Sequence, residues 1–151
     1  MLDQIRWPGN VKMLIDSEDE VDGLRIYGTS WVLHINGCWA FEAPSGGECL
    51  VSRFSAIPEG LDILLTHTPP KIRHQKLDVS IDTKSPHFGS EELTVALRRA
   101  QPRLALCGHI HSGDHKAYEL VHASGAVTTI RNVSRLNEDY RIAYEPFIFE
   151  L

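Results

Sequence analysis

Two histidines follow a short apolar run in residues 104–113, Leu-Ala-Leu-Cys-Gly-His-Ile-His-Ser-Gly. The run Leu104–Cys107 is typical of a buried strand, and Gly108 lets the chain leave that strand at an angle that a Cβ would resist. Because residues i and i+2 of an extended chain share one face, His109 and His111 can point the same way. Two imidazoles at a strand end can hold a metal ion, whereas H-x-H alone is also compatible with two ordinary loop histidines.

A second segment has the same form. Residues 61–70 read Leu-Asp-Ile-Leu-Leu-Thr-His-Thr-Pro-Pro, so an apolar run again stops at a histidine, His67. Pro69 and Pro70 cannot continue a strand ladder and therefore end the strand near that histidine. Sheets of α/β proteins commonly bind ligands at such strand ends. The two segments together predict one metal site formed by His67, His109 and His111.

Composition limits the class of protein. The 151 residues suit one domain with a real core, and the net charge of -5 argues against a nucleic-acid backbone as the main partner. No apolar run reaches the length of a membrane span, and no secretory signal is predicted at the N-terminus. Cys38, Cys49 and Cys107 show no CxxC spacing, which predicts free thiols in a reducing, cytoplasmic compartment. Cys107 is either a further ligand or a small buried strand residue.

The remaining periodicity indicates how these segments are positioned. The polar stretch 71–88 is predicted to be a long loop in which His74 and His87 are solvated. Its length makes a functional role possible. Elsewhere the pattern predicts a strand at 24–27 after a hairpin turn at Asp22 and Gly23, a helix at 48–57, a helix that Ser90 opens and Pro102 closes, a hairpin of strands 117–121 and 126–130, and a final strand at 147–149.

With these segments placed, the chain resembles the calcineurin-like metallophosphoesterases, and most of all their small single-domain phosphodiesterases. The family's G-H-x-H element is matched without change by residues 108–111, and its G-H element by Thr66 and His67, with Thr in place of Gly. In the subgroup's run T-H-G-P-P, Thr68 replaces the glycine. Further similarity lies in residues 22–28, 89–93 and 132–134, and the resemblance covers about 15–151.

The resemblance implies a site of two metal ions bridged by an aspartate. His67 and His109 would bind one ion and His111 the other. The family's D-x-H and G-D-x-x-D motifs are absent, and Val11 stands where its catalytic histidine would be. Asn10 is the only trace of the family's G-N-H motif and is either a ligand or a turn residue. Asp62 and Asp114 are the carboxylates nearest in sequence to the histidines, and a ligand role is not favoured for either.

The implied fold is therefore α/β, a metallophosphoesterase-like β-sandwich flanked by helices in four α/β/β/α layers. Its N-terminal part is expected to be missing, so residues 1–151 form a single truncated domain. A sheet that lacks neighbouring strands exposes edges and apolar faces, which predicts self-association or a partner that covers them.

The implied function is a metal-dependent phosphoesterase that acts on a phosphodiester or nucleotide with manganese, zinc or iron. A two-metal site needs anionic oxygen ligands, whereas three neutral imidazoles can hold one zinc-like ion with an open position. The isolated chain is therefore expected to be weak or inactive. Two alternatives stay open: a catalytically dead metal-binding pseudoenzyme, and an interaction module that pairs with a separate N-terminal half.

Overall fold

A computed structural model describes residues 6–80 and 87–151, and its main feature is a six-stranded mixed sheet. The strand order is β1-β2-β5-β6-β8-β7. The four inner strands run parallel, and each edge strand pairs antiparallel with its hairpin neighbour. The strands are β1 Ser17–Val21, β2 Leu24–Thr29, β3 Val32–Leu33, β4 Glu42–Ala43, β5 Ile63–Thr66, β6 Leu104–Cys107, β7 Tyr118–Val121 and β8 Val127–Asn132; the helices are α1 Glu48–Ser55 and α2 Glu91–Ala100.

Both helices pack on one face of this sheet, which confirms the predicted α/β class. Leu64, Ala105 and Ile130 are in register on neighbouring strands and point to the same face. Phe54 of α1 and Leu97 of α2 are buried in the same core cluster as these strand residues. The carboxyl ends of the parallel strands lie along one edge of the sheet. His67 follows β5 and His109 follows β6 at this edge.

Local signals account for the confirmed elements. Ser90 caps α2 by accepting a hydrogen bond from the N–H of Leu93, as its hydroxyl predicts. Asp22 and Gly23 both have positive φ, at 53° and 81°, which is the backbone of the tight hairpin turn expected there. The second predicted hairpin is also present, with Gly125 in its turn.

Three features differ from the predictions. The helix that begins at Glu48 ends at Ser55, two residues earlier than expected. Strands β3 and β4 lie in or beside the aromatic stretch 31–41, where no period was visible. The predicted final strand at 147–149 is wrong, because this segment has no strand ladder. Its apolar residues are used differently: the guanidinium of Arg131 lies 3.2 Å from the ring centroid of Phe147.

The predicted loop 71–88 is only partly within the described residues, since 81–86 lie outside them. His74 is exposed, as expected. The prediction for His87 is wrong: its Nδ1 lies 2.9 Å from Oδ1 of Asp78, a carboxylate with no exposed surface. Oδ2 of Asp78 accepts the N–H of Gly89, so this pair anchors the chain just before α2. The polarity of the stretch gave no indication that Asp78 is buried.

The face of the sheet opposite the helices is incompletely covered. Ile63 and Leu65 alternate with Leu64 and therefore point to this face, and Leu65 is 38% exposed. In the part of the chain that the structure describes, the second large sheet of a four-layer sandwich is not seen, so that finer prediction is not confirmed. Neither described helix is long and apolar enough to cross a membrane.

We expect this face and the sheet edges to make the purified chain self-associate. Sedimentation velocity should show a mass that rises with concentration, because exposed apolar area and free edges favour contacts between copies. Leu65→Lys should weaken the association, whereas Val95→Lys, at a 69% exposed position on α2, should leave it unchanged. A monomer of constant mass over a wide concentration range would contradict this expectation.

Candidate functional site

The carboxyl ends of β5 and β6 bring His67 and His109 together. The strands are parallel neighbours, and the N–H of Gly108 donates to the carbonyl of His67 at 3.1 Å, which aligns the two exits. Nδ1 of His109 lies 3.1 Å from Nε2 of His67, and the ring centroids are 4.8 Å apart. The two imidazoles therefore meet at one point at the end of the sheet.

His111 lines the same space but is held by a different element. Its Nδ1 lies 3.0 Å from the carbonyl oxygen of Asn137. Because a carbonyl only accepts, this nitrogen carries the proton and Nε2 is left as the acceptor or ligand atom. The ring of Tyr140 contacts His111 edge-on with centroids 5.3 Å apart. A loop that follows the sheet thus fixes the orientation of this histidine.

Two cavities share these three histidines. The larger has a volume of 650 Å³ and is also lined by Glu138 and by apolar and aromatic side chains. The smaller has a volume of 410 Å³ and is lined by the ends of β5 and β6 and by residues 133–136. The histidines thus lie where a small molecule can reach them.

Burial keeps the histidine pair neutral. Desolvation lowers the pKa of His67 and lowers that of His109 to about 4, and the neighbouring imidazoles add to both effects. The negative charges of Glu42 and Glu138 oppose the shift at His109 without cancelling it. At neutral pH the lone pairs of both rings are therefore available to a ligand or a metal ion.

The donor geometry fits a shared ion only in part. Two Zn–N bonds of about 2.0–2.1 Å at a tetrahedral angle place the nitrogens roughly 3.3 Å apart. The 3.1 Å between His67 and His109 is close to that value. However, no group of three His, Cys, Asp or Glu side chains in the described ranges is arranged to hold a metal ion. The described residues supply two metal-ligand nitrogens rather than a complete set of metal ligands.

Comparison with known proteins shows which sequences this chain resembles. Metallophosphoesterase domain-containing protein 1 of Homo sapiens is 38% identical over 143 residues, which cover 94% of this chain and 40% of the human protein. The Mus musculus protein of the same name gives the same values. A UPF0046 protein of Caenorhabditis elegans is 32% identical over 143 residues, or 94% of this chain and 33% of the nematode protein.

These similarities support a metallophosphoesterase family for this chain. The chain spans 40% or less of the length of these three relatives. No protein family model matches the sequence. A solved structure of GAP50, the anchor in the inner membrane complex of Plasmodium, aligns with 80% of this chain and 36% of that chain, with a TM-score of 0.34 and 15% identity. A TM-score this low is not evidence of a shared fold.

Two carboxylates near the histidines of this chain were not predicted from the sequence. Glu138 lines the larger cavity, and its Oε1 accepts hydrogen bonds from the N–H and the hydroxyl of Ser112 at 2.9 and 2.6 Å. Oε2 of Glu42 accepts the N–H of Gly37 at 2.6 Å, whereas its Oε1 is buried without a hydrogen-bond partner. Both residues lie outside the family motifs, so only the folded chain places them near His109.

The carboxylates that are nearest in sequence lie elsewhere. Asp62 precedes β5, at the opposite end of the strand from His67, and accepts hydrogen bonds from the N–H of Arg25 and from the guanidinium of Arg103. Asp114 accepts the hydroxyl of Tyr118 at 2.9 Å. Neither aspartate lines either histidine cavity.

Asn10 and Cys107 also have structural rather than ligand positions. Asn10 is exposed in a turn closed by the N–H of Val11 and the carbonyl of Pro8. Cys107 is 2% exposed, and its burial raises the pKa of the thiol, which therefore stays protonated and is a poor metal ligand. The buried-strand interpretation of Cys107 is thus the one that the structure supports.

His109 adopts a left-handed backbone with φ of 70°, which is costly for a residue with a Cβ. We therefore expect His109→Gly to be more stable than His109→Ala by about 1 kcal/mol, although both variants remove the imidazole. Urea unfolding with linear extrapolation measures the difference.

The matched control for this comparison is the same pair of substitutions at His67, which is not among the described residues with positive φ. There alanine should be at least as stable as glycine, because glycine loses more backbone freedom on folding. Equal stability of the two His109 variants would show that its φ stores no strain.

Proposed function

We propose that this chain carries the histidine part of a metal-dependent phosphodiester hydrolase and is very slow or inactive by itself. The observation that carries the proposal is the 3.1 Å approach of His67 and His109 at two aligned strand ends. Sequence similarity to metallophosphoesterase domain-containing protein 1 supports it. A divalent ion such as manganese, zinc or iron, held by these side chains, would supply Lewis acidity to the phosphoester.

Each histidine has a definite part in this proposal. The neutral rings of His67 and His109 bring two nitrogens to one point, where they can hold an ion. His111 offers Nε2, because the carbonyl of Asn137 holds the proton at Nδ1. The low pKa of His109 keeps its ring unprotonated well below neutral pH, so this arrangement does not require alkaline conditions.

The remaining ligands are proposed to come from polypeptide that the longer relatives carry. Hard divalent ions need anionic oxygen donors, and the nearest described candidates are only Glu42 and Glu138. An added segment with the missing carboxylates would also cover the sheet face on which Leu65 is exposed and complete a four-layer sandwich. The substrate would be a phosphodiester or nucleotide, and the compartment the cytoplasm.

A second candidate function is binding without turnover. The lack of a three-donor group in the described residues favours a pseudoenzyme that holds at most one ion. The partly uncovered sheet face favours a module that pairs with a separate N-terminal half. The pseudoenzyme should bind an ion without hydrolysis, and the pairing module should form a stable complex without hydrolysis.

Complementation distinguishes the two candidates. The chain is mixed with the part of a longer relative that it does not match, and hydrolysis of a generic phosphodiester is followed with manganese or zinc. We expect the mixture to turn over at least about tenfold faster than either part, because the missing carboxylates complete the site. His109→Ala should abolish the gain, whereas His74→Ala, at an exposed loop position, should not. A stable complex without any gain would favour the second candidate.

A further inference from the structure

A basic cavity lies beside α2, separate from the histidines of the candidate metal site. It has a volume of 380 Å³ and lies between the loop that begins at Lys71 and the helix. Its ionisable lining residues are Lys71, Arg73, His74 and Arg98, with a single carboxylate, Glu91. It shares no lining residue with either histidine cavity. The cavity is therefore a second place where a small molecule can bind.

Positive charge exceeds negative charge in this cavity. Nζ of Lys71 lies 3.0 Å from Oε1 of Glu91, so the one carboxylate is already paired. The side chains of Arg73 and Arg98 make no ion pair or hydrogen bond with any residue that the structure describes. Three permanent cations face one carboxylate, which leaves a local charge of about +2 in a chain of net charge -5.

The two unpaired arginines differ from others in the described chain. Each of four other arginines forms an ion pair with a carboxylate: Arg25, Arg53, Arg99 and Arg103. Arg73 and Arg98 are exposed, so their guanidinium groups are accessible from solvent. A concave surface lined by one sign of charge raises the local concentration of ions of the opposite sign. The cavity should therefore attract anions.

The loop wall of the cavity is fixed to the helix. The N–H of Lys71 donates to the carbonyl of Ser90 at 3.0 Å, and the hydroxyl of Thr94 lies 3.0 Å from the carbonyl oxygens of both residues. The two segments approach so closely that a Cβ at Gly89 would lie 2.5 Å from the carbonyl oxygen of Pro70. The position of the loop relative to α2 is thus set by the backbone.

A tight turn presents the basic side chains of the loop. The N–H of Gln75 donates to the carbonyl of Ile72 at 2.8 Å, which places Arg73 and His74 at the tip of the turn. Ile72 itself is packed against the hydrophobic core. Because the base of the turn is anchored, little backbone freedom is lost when a ligand binds at its tip.

We infer that Arg73 and Arg98 bind a phosphate dianion in this cavity, either free or as the monoester of a small molecule. A guanidinium group presents parallel N–H donors that match two phosphate oxygens. A phosphate monoester carries about -1.5 to -2 charges at pH 7, which balances the local charge of the cavity. Lys71 adds a point charge to the same wall. The inference goes beyond the proposed function, because the cavity shares no lining residue with the histidine site.

Isothermal titration of the full chain with inorganic phosphate tests this site. The titration is done in EDTA at low ionic strength, so that metal at the histidines does not contribute. We expect saturable binding of one phosphate per chain, which added salt weakens by screening. The double variant Arg73→Ala and Arg98→Ala should bind at least about tenfold more weakly, because both charge-assisted contacts are lost.

A second probe identifies the source of the phosphate. Propyl phosphate carries the same dianion with an apolar chain, which the side chain of Val95 at the cavity wall can contact. Tighter binding of propyl phosphate than of inorganic phosphate would assign the cavity to an esterified phosphate. Equal binding would assign it to free phosphate. Both results support the site, provided that the double variant loses the binding.

Three variants control the titration. Arg6→Ala with Lys116→Ala removes the same number of positive charges at exposed positions outside the cavity and should leave the affinity unchanged. Arg73→Lys with Arg98→Lys keeps the charge and loses the planar donor pairs, so its affinity should be intermediate. The triple alanine variant of His67, His109 and His111 should bind phosphate as the parent chain does. Circular dichroism checks that each variant is folded.

The outcomes separate this inference from the proposed function. Absence of saturable binding, or unchanged affinity in the Arg73 and Arg98 double variant, would overturn the phosphate site. Equal weakening by the remote control would also overturn it, since net charge alone would then explain the binding. Phosphate binding that the triple histidine variant loses would place the anion at the histidines and overturn the site as well. Failure of complementation with intact phosphate binding would contradict only the proposed function.

Discussion

Replacement of His67, His109 and His111 together by alanine is expected to remove the divalent metal bound by this chain, from at most one ion to none. The pair at 3.1 Å supplies two imidazole nitrogens at one point, and His111 lines the same cavities with Nε2 available. A site of two or three neutral imidazoles can hold one zinc-like ion with water in the open positions. A second ion would need a bridging carboxylate, and no such ligand group is present among the described residues.

The measurement is metal content by plasma mass spectrometry after loading with zinc or manganese and exhaustive dialysis. The matched control replaces His34 and His74, two exposed histidines outside both cavities, and should keep the metal content of the parent chain. Unchanged metal content in the triple variant would show that the ion is held elsewhere. Two ions per parent chain would contradict the incomplete site.

The sheet and both helices were predictable because their signals are local. The apolar runs before His67 and before Gly108 are the central strands β5 and β6, and the Ser90 cap and the three-to-four spacing of leucines and alanines mark α2. Gly125 marks a hairpin in the same local way. In contrast, β1 is an acidic edge strand without an apolar period, and β3 and β4 have two residues each. Such short or edge elements are fixed by their neighbours rather than by their own pattern.

The segment 147–149 shows the converse error. Phe147 and Phe149 alternate around Ile148, which is the pattern of a strand, but the segment forms no strand and both rings lie near one arginine. The guanidinium of Arg131 lies over the ring of Phe147 at 3.2 Å and near that of Phe149 at 5.9 Å. An alternating pattern of apolar residues predicts which side chains face the same way in an extended chain. It does not show that a neighbouring strand pairs with the backbone.

The part of the site that lies at the ends of the strands was predictable from the sequence. His67 and His109 meet because parallel neighbouring strands end at the same edge, a relation that the sequence implies. Glu138 and the carbonyl of Asn137 approach His111 through a loop whose path depends on tertiary contacts. Glu42 reaches the same region from a two-residue strand. No spacing rule connects these residues to the histidines, so the sequence could not indicate them.

The burial of Asp78 against His87 was invisible for a similar reason. A polar stretch predicts solvent exposure, yet Asp78 is fully buried and its two oxygens are satisfied by His87 and by the N–H of Gly89. A carboxylate can be buried where such hydrogen-bond partners exist. Both partners of Asp78 lie further along the chain. The sequence shows the residues but not their pairing.

Turnover of the purified chain alone tests the central claim, that this chain holds only part of a metallophosphoesterase site. Two-metal hydrolysis depends on a bridging carboxylate and on ions about 3.5–4 Å apart, and the described residues provide two neighbouring imidazoles without such a bridge. We predict that the chain hydrolyses a generic phosphodiester very slowly or not at all with manganese or zinc, at a rate that His109→Ala hardly changes. Robust turnover of the chain that His109→Ala abolishes would contradict the account.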